Sequence, residues 1–268
     1  MQALRHFLLA VQFFTRIPIT GRLADWVGFS PAMLRASSAH FPGVGWIVAA
    51  AATASYGALA LLLAPNPWAS AVAAVGCTVV TVLLTGGFHE DGLADVADGL
   101  GGSADTERAL DIMKDSRIGA YGTLALVLAL LAKVVLLALL GSHSLAAALT
   151  ALAGAHVLSR LWPLCIVRSL PHVGDTARSK SKPLADQISP GALAAAVLWC
   201  FPALALVQQA PAALFLGAGV VASMVAAWRM QRLFARRLGG FTGDCLGATQ
   251  QVGEIAFYLG AALTLGAL

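Results

Sequence analysis

The sequence predicts an all-α protein: a polytopic transmembrane helical bundle of about seven spans, with an N-terminal interfacial helix and a helical, acidic cytoplasmic loop. Of its 268 residues 59% are hydrophobic and only 11% are charged, against roughly 25% charged in soluble domains. The apolar residues form stretches long enough to cross a bilayer. The charged residues lie almost entirely in alternate links between those stretches. We treat residues 1–268 as a single integral membrane domain.

Seven stretches, rich in alanine, leucine and glycine, are the candidate spans. A spanning helix needs about 20 largely apolar residues, and small residues allow helices to pack closely in lipid. The stretches cover approximately residues 43–64, 67–85, 118–140, 145–167, 192–207, 211–228 and 245–268. The fifth and sixth are short, so their ends are the least defined.

The segment before the first stretch predicts an amphipathic helix at the membrane interface. Polar residues such as Arg5 and Gln12 interrupt its apolar run, which ends at Pro18. A cleavable signal peptide would carry an uninterrupted apolar region. An interfacial helix fits the pattern better.

Basic residues indicate the orientation in the membrane. The links at residues 65–66, 141–144 and 208–210 carry no charge, whereas 15 of the 17 Lys and Arg residues lie in the N-terminal segment and the remaining links. The positive-inside rule places those charged segments, and the N-terminus, in the cytoplasm. The net charge of +4 reflects this asymmetry and is no sign of nucleic-acid binding.

The acidic motif at residues 89–100 is the most informative segment. Asp91, Asp95 and Asp98 are spaced i, i+4 and i+7, so on a helix they share one face. Like charges at this spacing repel, and eight of the 13 acidic residues lie between Glu90 and Asp115. Mg²⁺ takes carboxylate oxygens and bridges to substrate phosphates, so a bound cation would offset the repulsion. The alternative is a solvated acidic face.

The same link continues with residues suited to bind phosphate. Lys114 and Arg117 could hold phosphate oxygens, or they could serve only to set the topology. Gly119 and Gly122 would let a ligand or a helix approach closely. Ser103 is predicted to cap a helix that runs to Asp115, separated by glycines from the helix before it.

A weak internal repeat links the motif to the last stretch. The pattern GGFxxDxL occurs at residues 86–93 and again at 239–246. It is either a coincidence in a glycine-rich chain or a pair of facing loops that supply Asp91 and Asp244 to one site. Deeper in the spans, Glu254 is expected to contact Arg160, and Lys133 is expected to extend toward the interface.

Other motifs narrow the function. The four cysteines form no CxxC pair, so neither a zinc site nor a disulfide framework is indicated. No GxxxxGK[ST] loop is present, which argues against an ATP-driven pump. The basic run from Arg178 to Lys182 either receives phosphate or sets orientation.

The run HEDGLADVADG (89–99), followed by ERALDIMKDSRIGAYG (107–122), resembles the signature of the cobalamin synthase family, the adenosylcobinamide-GDP ribazoletransferases. The segments 13–18, 41–45 and 242–248 are also similar to that family, so the resemblance covers most of the chain. Glu90 falls outside the pattern. Its replacement by leucine is expected to be mild, because position 90 points off the helix face that carries the aspartates. The segment after Arg178 departs from the glycine-rich stretch usual there.

The resemblance implies the last step of cobalamin assembly, in the inner membrane of a bacterium. α-Ribazole or its 5′-phosphate would attack adenosylcobinamide-GDP and release GMP, with Mg²⁺ required; a homo-oligomer is left open. The expected catalytic residues are Asp91, Asp95, Asp98, Lys114, Asp115 and Arg117. Substrate binding is assigned to His89, Gly92, Gly119, Gly122, Arg178 and Asp244, and the metal to Asp91, Asp95, Asp98 and Asp244.

Two other functions remain open on the sequence. A CDP-alcohol phosphotransferase-like enzyme also uses clustered aspartates, but its DGxxAR pattern needs an arginine that is absent after Asp91-Gly92. A small-molecule transporter would place ionisable residues near the bilayer midplane, whereas the acids here cluster in a cytoplasmic link. Release of GMP rather than CMP would separate the enzymes.

Overall fold

The computed structural model describes residues 1–174, 188–206 and 210–267. In this part the chain forms helices and turns, with no β-strand and one isolated bridge between His172 and Phe241. The all-α prediction is confirmed. The α-helices are α1 Gln2–Phe14, α2 Gly21–Val27, α3 Pro31–Ser37, α4 Phe41–Leu62, α5 Ala69–Thr85, α6 Phe88–Gly102, α7 Thr106–Met113, α8 Ala120–His143, α9 Leu145–Leu158, α10 Trp162–Ser169, α11 Pro190–Leu198, α12 Ala210–Arg237 and α13 Gly243–Ala262.

The multi-span architecture is present, with fewer clear spans than the seven predicted. Four helical segments of the described chain are long and apolar enough to cross a membrane: Pro31–Leu62, Ala120–His143, Leu145–Ser169 and Ala213–Arg237. Helices α5 and α6 together would make a fifth, but they meet at an angle of 90°. Asp91 on α6 is exposed, and we do not count α6 among the clear spans.

The remaining differences follow from particular residues. The fifth stretch forms the nine-residue α11 and then a 3₁₀ turn over Phe201–Leu206, because Pro202 has no backbone N–H to donate to Leu198 and so cannot continue the α-helix. The sixth extends to Arg237, since arginine is a good helix former. Helix α13 carries buried Gln250, Gln251 and Glu254, and these lower the hydropathy of the last stretch.

The acidic link is divided into two helices at a different point from the one predicted. Helix α6 continues through its glycines to Gly102, and α7 begins at Thr106. The N-cap of α7 is Asp105 and not Ser103. Asp105 Oδ1 accepts from the backbone N–H of Arg108 at 2.9 Å. Gly99 serves packing, because a Cβ there would lie 2.8 Å from the carbonyl oxygen of Ala109 on α7. Tertiary packing thus outweighs the low helix propensity of glycine.

The N-terminal helix and the residues that follow it pack beside the break between α5 and α6. Helix α1 buries Leu9, Ala10, Val11 and Phe14, which agrees with the amphipathic prediction, although it ends at Phe14. The backbone N–H of Arg16 donates to the carbonyl of Leu84 at 2.7 Å. Gly86 and Gly87 have φ of +71° and +70°, a conformation that favours glycine, and they direct α6 away from the axis of α5.

Candidate active site

The two copies of the GGFxxDxL pattern face each other across helices α6 and α13. A Cβ on Gly92 would stand 2.7 Å from the carbonyl oxygen of Asp244, and one on Gly247 would stand 3.3 Å from Cα of His89. Gly92 is therefore required by the close approach of the two backbones, and a Cβ at Gly247 would make a tight contact. This geometry supports the interpretation of the repeat as two facing segments.

Three aspartates from the two helices lie near one another. Asp91 is exposed, while Asp95 and Asp244 are half-buried. Burial raises the pKa of Asp95 to about 7, and the charges of Asp244, Asp91 and Asp98 contribute to the rise. Burial also raises the pKa of Asp244, with a contribution from Asp91. The carboxylates thus repel one another in a partly dry site, which favours a bound cation.

Asp98 is turned toward a different partner. Its Oδ2 accepts from the backbone N–H of Gly119 at 2.7 Å, and its Oδ1 accepts from that of Gly122 at 2.8 Å. Both donors belong to the start of α8, where backbone N–H groups lack partners within the helix. A Cβ on either glycine would collide with this carboxylate. The close approach predicted for the two glycines therefore serves Asp98.

The predicted phosphate-binding cations lie on the turn between α7 and α8. Arg117 forms a bidentate pair with Asp115, its Nη2 lying 2.6 Å from Oδ2 and its Nε 3.0 Å from Oδ1. The guanidinium lowers the pKa of Asp115 to about 2. Lys114 Nζ lies 3.7 Å from Asp111 Oδ1, and both side chains are exposed. These cations are accessible but paired, and Arg178 lies outside the described residues.

His89 lies beneath the aspartates rather than among them. Its side chain is 2% exposed, and its ring stacks on that of Phe41 with centroids 5.8 Å apart. Within the described part of the chain its Nε2 has no hydrogen-bond partner. The structure thus places His89 in the packing between α6 and α4.

Glu254 has a buried basic partner, as predicted, but the partner is Lys133 and not Arg160. Lys133 Nζ lies 2.6 Å from Glu254 Oε1, so the prediction that Lys133 extends toward the interface is wrong. His156 Nδ1 lies 3.4 Å from Glu254 Oε2. Arg160, the partner expected for Glu254, donates instead to the carbonyl of His156 at 2.7 Å and lies over the ring of Phe41.

The oxygen donors at the site suit a hard cation. Among the described residues, no three His, Cys, Asp or Glu side chains are arranged to hold a metal ion unaided. Mg²⁺ keeps several waters and is usually held by one or two carboxylates together with substrate phosphates. One or two of the carboxylates of Asp91, Asp95 and Asp244 would supply that number of protein ligands, and the ion would relieve their mutual repulsion.

Comparison with known proteins agrees with the resemblance seen in the motifs. A family model described as cobalamin-5-phosphate synthase matches residues 6–262. A protein of Polaromonas naphthalenivorans named adenosylcobinamide-GDP ribazoletransferase is 61% identical, over 99% of this chain and 100% of its own. A protein of the same name from Albidiferax ferrireducens is 61% identical, over 98% of this chain and 99% of its own. One from Vibrio cholerae is 41% identical, over 94% of this chain and 91% of its own. No solved structure matches the chain.

Proposed function

Because the chain belongs to the cobalamin-5-phosphate synthase family, we propose that it joins α-ribazole or its 5′-phosphate to adenosylcobinamide-GDP in a Mg²⁺-dependent reaction that releases GMP. The chain is an enzyme, since the relatives at 61% identity carry the name of a transferase. The observation that carries the proposal is the packing of α6 on α13, with Gly92 against Asp244. This packing brings Asp91 and Asp95 of α6 close to Asp244 of α13, which lies about 150 residues later in the family pattern.

The proposed reaction transfers a phosphoryl group, esterified to cobinamide, from GMP to an alcohol. A ribose hydroxyl of the ribazole forms a bond to the phosphorus on the cobinamide side. The phosphoanhydride bond to GMP breaks, and GMP leaves with its electron pair. The hydroxyl proton passes to a carboxylate acting as general base. Such transfers depend mainly on positioning and charge stabilisation.

Each group of residues has a distinct part in this proposal. Asp91, Asp95 and Asp244 would hold Mg²⁺, which supplies positive charge against the diphosphate when bound. Lys114 and Arg117, exposed on the α7–α8 turn, would exchange their carboxylate partners for phosphate oxygens. Asp98 would act indirectly, since it fixes the start of α8 against α6.

We also propose that the site faces the cytoplasm from the inner membrane of a bacterium. The charged links that flank the aspartates support this orientation. The nucleotide substrate is a charged, water-soluble molecule, and the exposed Asp91 and Arg117 lie where it could reach them.

The test is GMP formation from adenosylcobinamide-GDP and α-ribazole by the purified full-length protein, with and without Mg²⁺. GMP and a cobalamin product are expected only with the metal. Supplying α-ribazole 5′-phosphate in a parallel reaction identifies the acceptor used. Release of CMP from a CDP-alcohol, with no GMP from the cobinamide substrate, would contradict the proposal.

A further inference from the structure

A buried chain of hydrogen bonds connects the acidic helix with the last helix. Gln251, on α13, is 3% exposed. Its Nε2 donates to Glu90 Oε1 on α6 at 3.0 Å and to Gln250 Oε1 at 2.9 Å. Both protons of this amide are therefore used, and Gln251 joins the residue beside Asp91 to the interior of the bundle.

The chain continues from Gln250 to two other helices. Gln250 Nε2 donates to Ser159 Oγ, just after α9, at 3.0 Å and to Glu254 Oε2 at 2.7 Å. Glu254 in turn pairs with Lys133 of α8 at 2.6 Å. Buried polar networks are rigid where their members are satisfied, so these bonds hold α13 against α8 and α9. At the α6 end, Glu90 Oε1 is paired while Glu90 Oε2 has no partner among the described residues.

The closest backbone approaches between α6 and α13 are made at glycines. Gly92 meets the backbone of Asp244, and Gly247 meets that of His89. Glycines permit close approach but provide no side chain that fixes the relative register of two helices. The Glu90–Gln251 bond is the one side-chain hydrogen bond recorded between these two described helices.

Register matters for the carboxylates because a small slip would separate them. A shift of one residue moves a helix by about 1.5 Å along its axis and turns its side chains by roughly 100°. Mg²⁺ demands near-ideal geometry with oxygens at about 2.0–2.1 Å. The aspartates on α6 would no longer face Asp244 after such a slip.

We propose that Gln251 is a positioning residue: through its bond to Glu90 it fixes the register of α6 on α13 and so holds Asp91 and Asp95 opposite Asp244 for a divalent cation. The inference rests on the proposed function for the identity of the site. Glu90 lies outside the pattern on which the family resemblance rests, so that resemblance gives no indication of the Glu90–Gln251 bridge. The bridge also revises the expectation that leucine at position 90 is mild.

The test measures metal binding directly, on the purified full-length protein, by electron paramagnetic resonance of Mn²⁺. Gln251→Met keeps the length of the side chain and removes the donor. Its Mn²⁺ Kd should rise about tenfold, as is typical when a supporting residue around a metal site is lost. Half-maximal GMP release should need correspondingly more Mg²⁺. The matched control is Gln231→Met, since Gln231 is bonded to Ser169 on the protein surface and should bind Mn²⁺ as wild type does.

Two further variants separate positioning from simple stabilisation. Gln251→Met leaves two buried acceptors without this donor, Glu90 Oε1 and Gln250 Oε1, so its melting temperature should fall as well. The double variant Glu90→Met/Gln251→Met removes the first of these acceptors and should regain part of the lost melting temperature, while its Mn²⁺ Kd stays raised. Glu90→Gln keeps an acceptor oxygen and should bind Mn²⁺ nearly as wild type does.

A Kd that recovers together with the melting temperature, or a wild-type Kd in Gln251→Met, would overturn the positioning role. Absence of specific Mn²⁺ binding by the wild-type protein would overturn it together with the metal site. If wild-type protein binds Mn²⁺ but forms no GMP, the transfer reaction fails while the Mn²⁺ comparison still decides the role of Gln251.

Discussion

Lys133 and Glu254 form an ion pair in the centre of the bundle, with Nζ and Oε1 2.6 Å apart and side chains only 2% and 1% exposed. Lys133 lies in the middle of α8, and Glu254 lies in the middle of α13. Ionisable groups at such depth are costly unless paired. Gln250 at 2.7 Å and Tyr258 at 3.1 Å donate to the same carboxylate, so its oxygens are well satisfied.

Breaking this pair should destabilise the protein more than it impairs chemistry. Glu254→Gln leaves the ammonium group of Lys133 buried without a counter-charge, and removal of one partner of a buried pair costs about 3–5 kcal/mol. Thermal melting of the detergent-solubilised variant should show the loss, with activity per folded molecule less affected. Replacing both charges, as Lys133→Met/Glu254→Gln, keeps an acceptor oxygen for Gln250 or Tyr258 and should recover part of the stability. A single variant that melts like wild type would show that the pair contributes little.

Asp244→Asn, unlike Glu254→Gln, should impair the reaction more than it destabilises the protein. Asp244 is at the first turn of α13 and half-buried, so the amide can be accommodated without loss of a charge partner. We expect folding to be retained, turnover to fall by orders of magnitude and the Mg²⁺ requirement to rise. Melting temperature and Mg²⁺-dependent GMP release, measured on the same preparation as Glu254→Gln, provide the comparison. Full activity at low Mg²⁺ would remove Asp244 from the site.

Asp91→Asn and Asp95→Asn should each nearly abolish turnover while the protein still inserts in the membrane. Each substitution removes a charged oxygen ligand and lessens the repulsion within the cluster, so stability without metal should hold or rise slightly. Asp25→Asn is a suitable control because Asp25 lies on α2, outside the acidic motif. Near-wild-type GMP release by both Asp91→Asn and Asp95→Asn would exclude the proposed metal site.

Asp98→Asn should affect stability first. An amide has one acceptor oxygen, so either Gly119 or Gly122 would lose its partner, and an unsatisfied buried donor costs about 1–3 kcal/mol. We expect a lower melting temperature, with turnover per folded molecule reduced much less than in Asp91→Asn. The opposite pattern, lost turnover with unchanged melting, would return Asp98 to the set of metal ligands.

The case of Asp98 shows what residue spacing can predict at this site. The i, i+4, i+7 pattern correctly indicates a helix with three carboxylates on one face. Asp98 lies seven residues beyond Asp91, about 10 Å along the axis, where the neighbour is α8 rather than Asp244. Spacing therefore predicts the face, while the partner of each side chain depends on which helix packs at that height.

The buried ion pair shows the same limit within the spans. Hydropathy locates Lys133, Arg160 and Glu254 inside apolar stretches, which is enough to predict that Glu254 has a basic partner. The choice between the two cations depends on how α8 and α9 are rotated toward α13. That rotation is set by packing of small residues, such as Gly154 against Phe257, which no periodicity in one chain reveals.

The orientation of the acidic helix can be tested with single cysteines on opposite sides. Ala104 is exposed between α6 and α7, and Ser142 is exposed at the end of α8. If the charged links are cytoplasmic, an impermeant thiol reagent should label Ser142→Cys in intact cells but Ala104→Cys only after the membrane is opened. Of the native cysteines, Cys77 and Cys245 are buried and Cys165 and Cys200 are half-buried, so wild-type protein gives the background.

The reverse labelling pattern would mean that the chain has the opposite orientation in the membrane. It would place Asp91 and Asp244 outside the cytoplasm, where GDP-linked intermediates made inside the cell could not reach them. Labelling of both positions in intact cells would instead show that α8 does not cross the membrane between its charged start near Arg117 and its uncharged end at Ser142. Only labelling restricted to Ser142→Cys agrees with a cytoplasmic site built on α6 and α13.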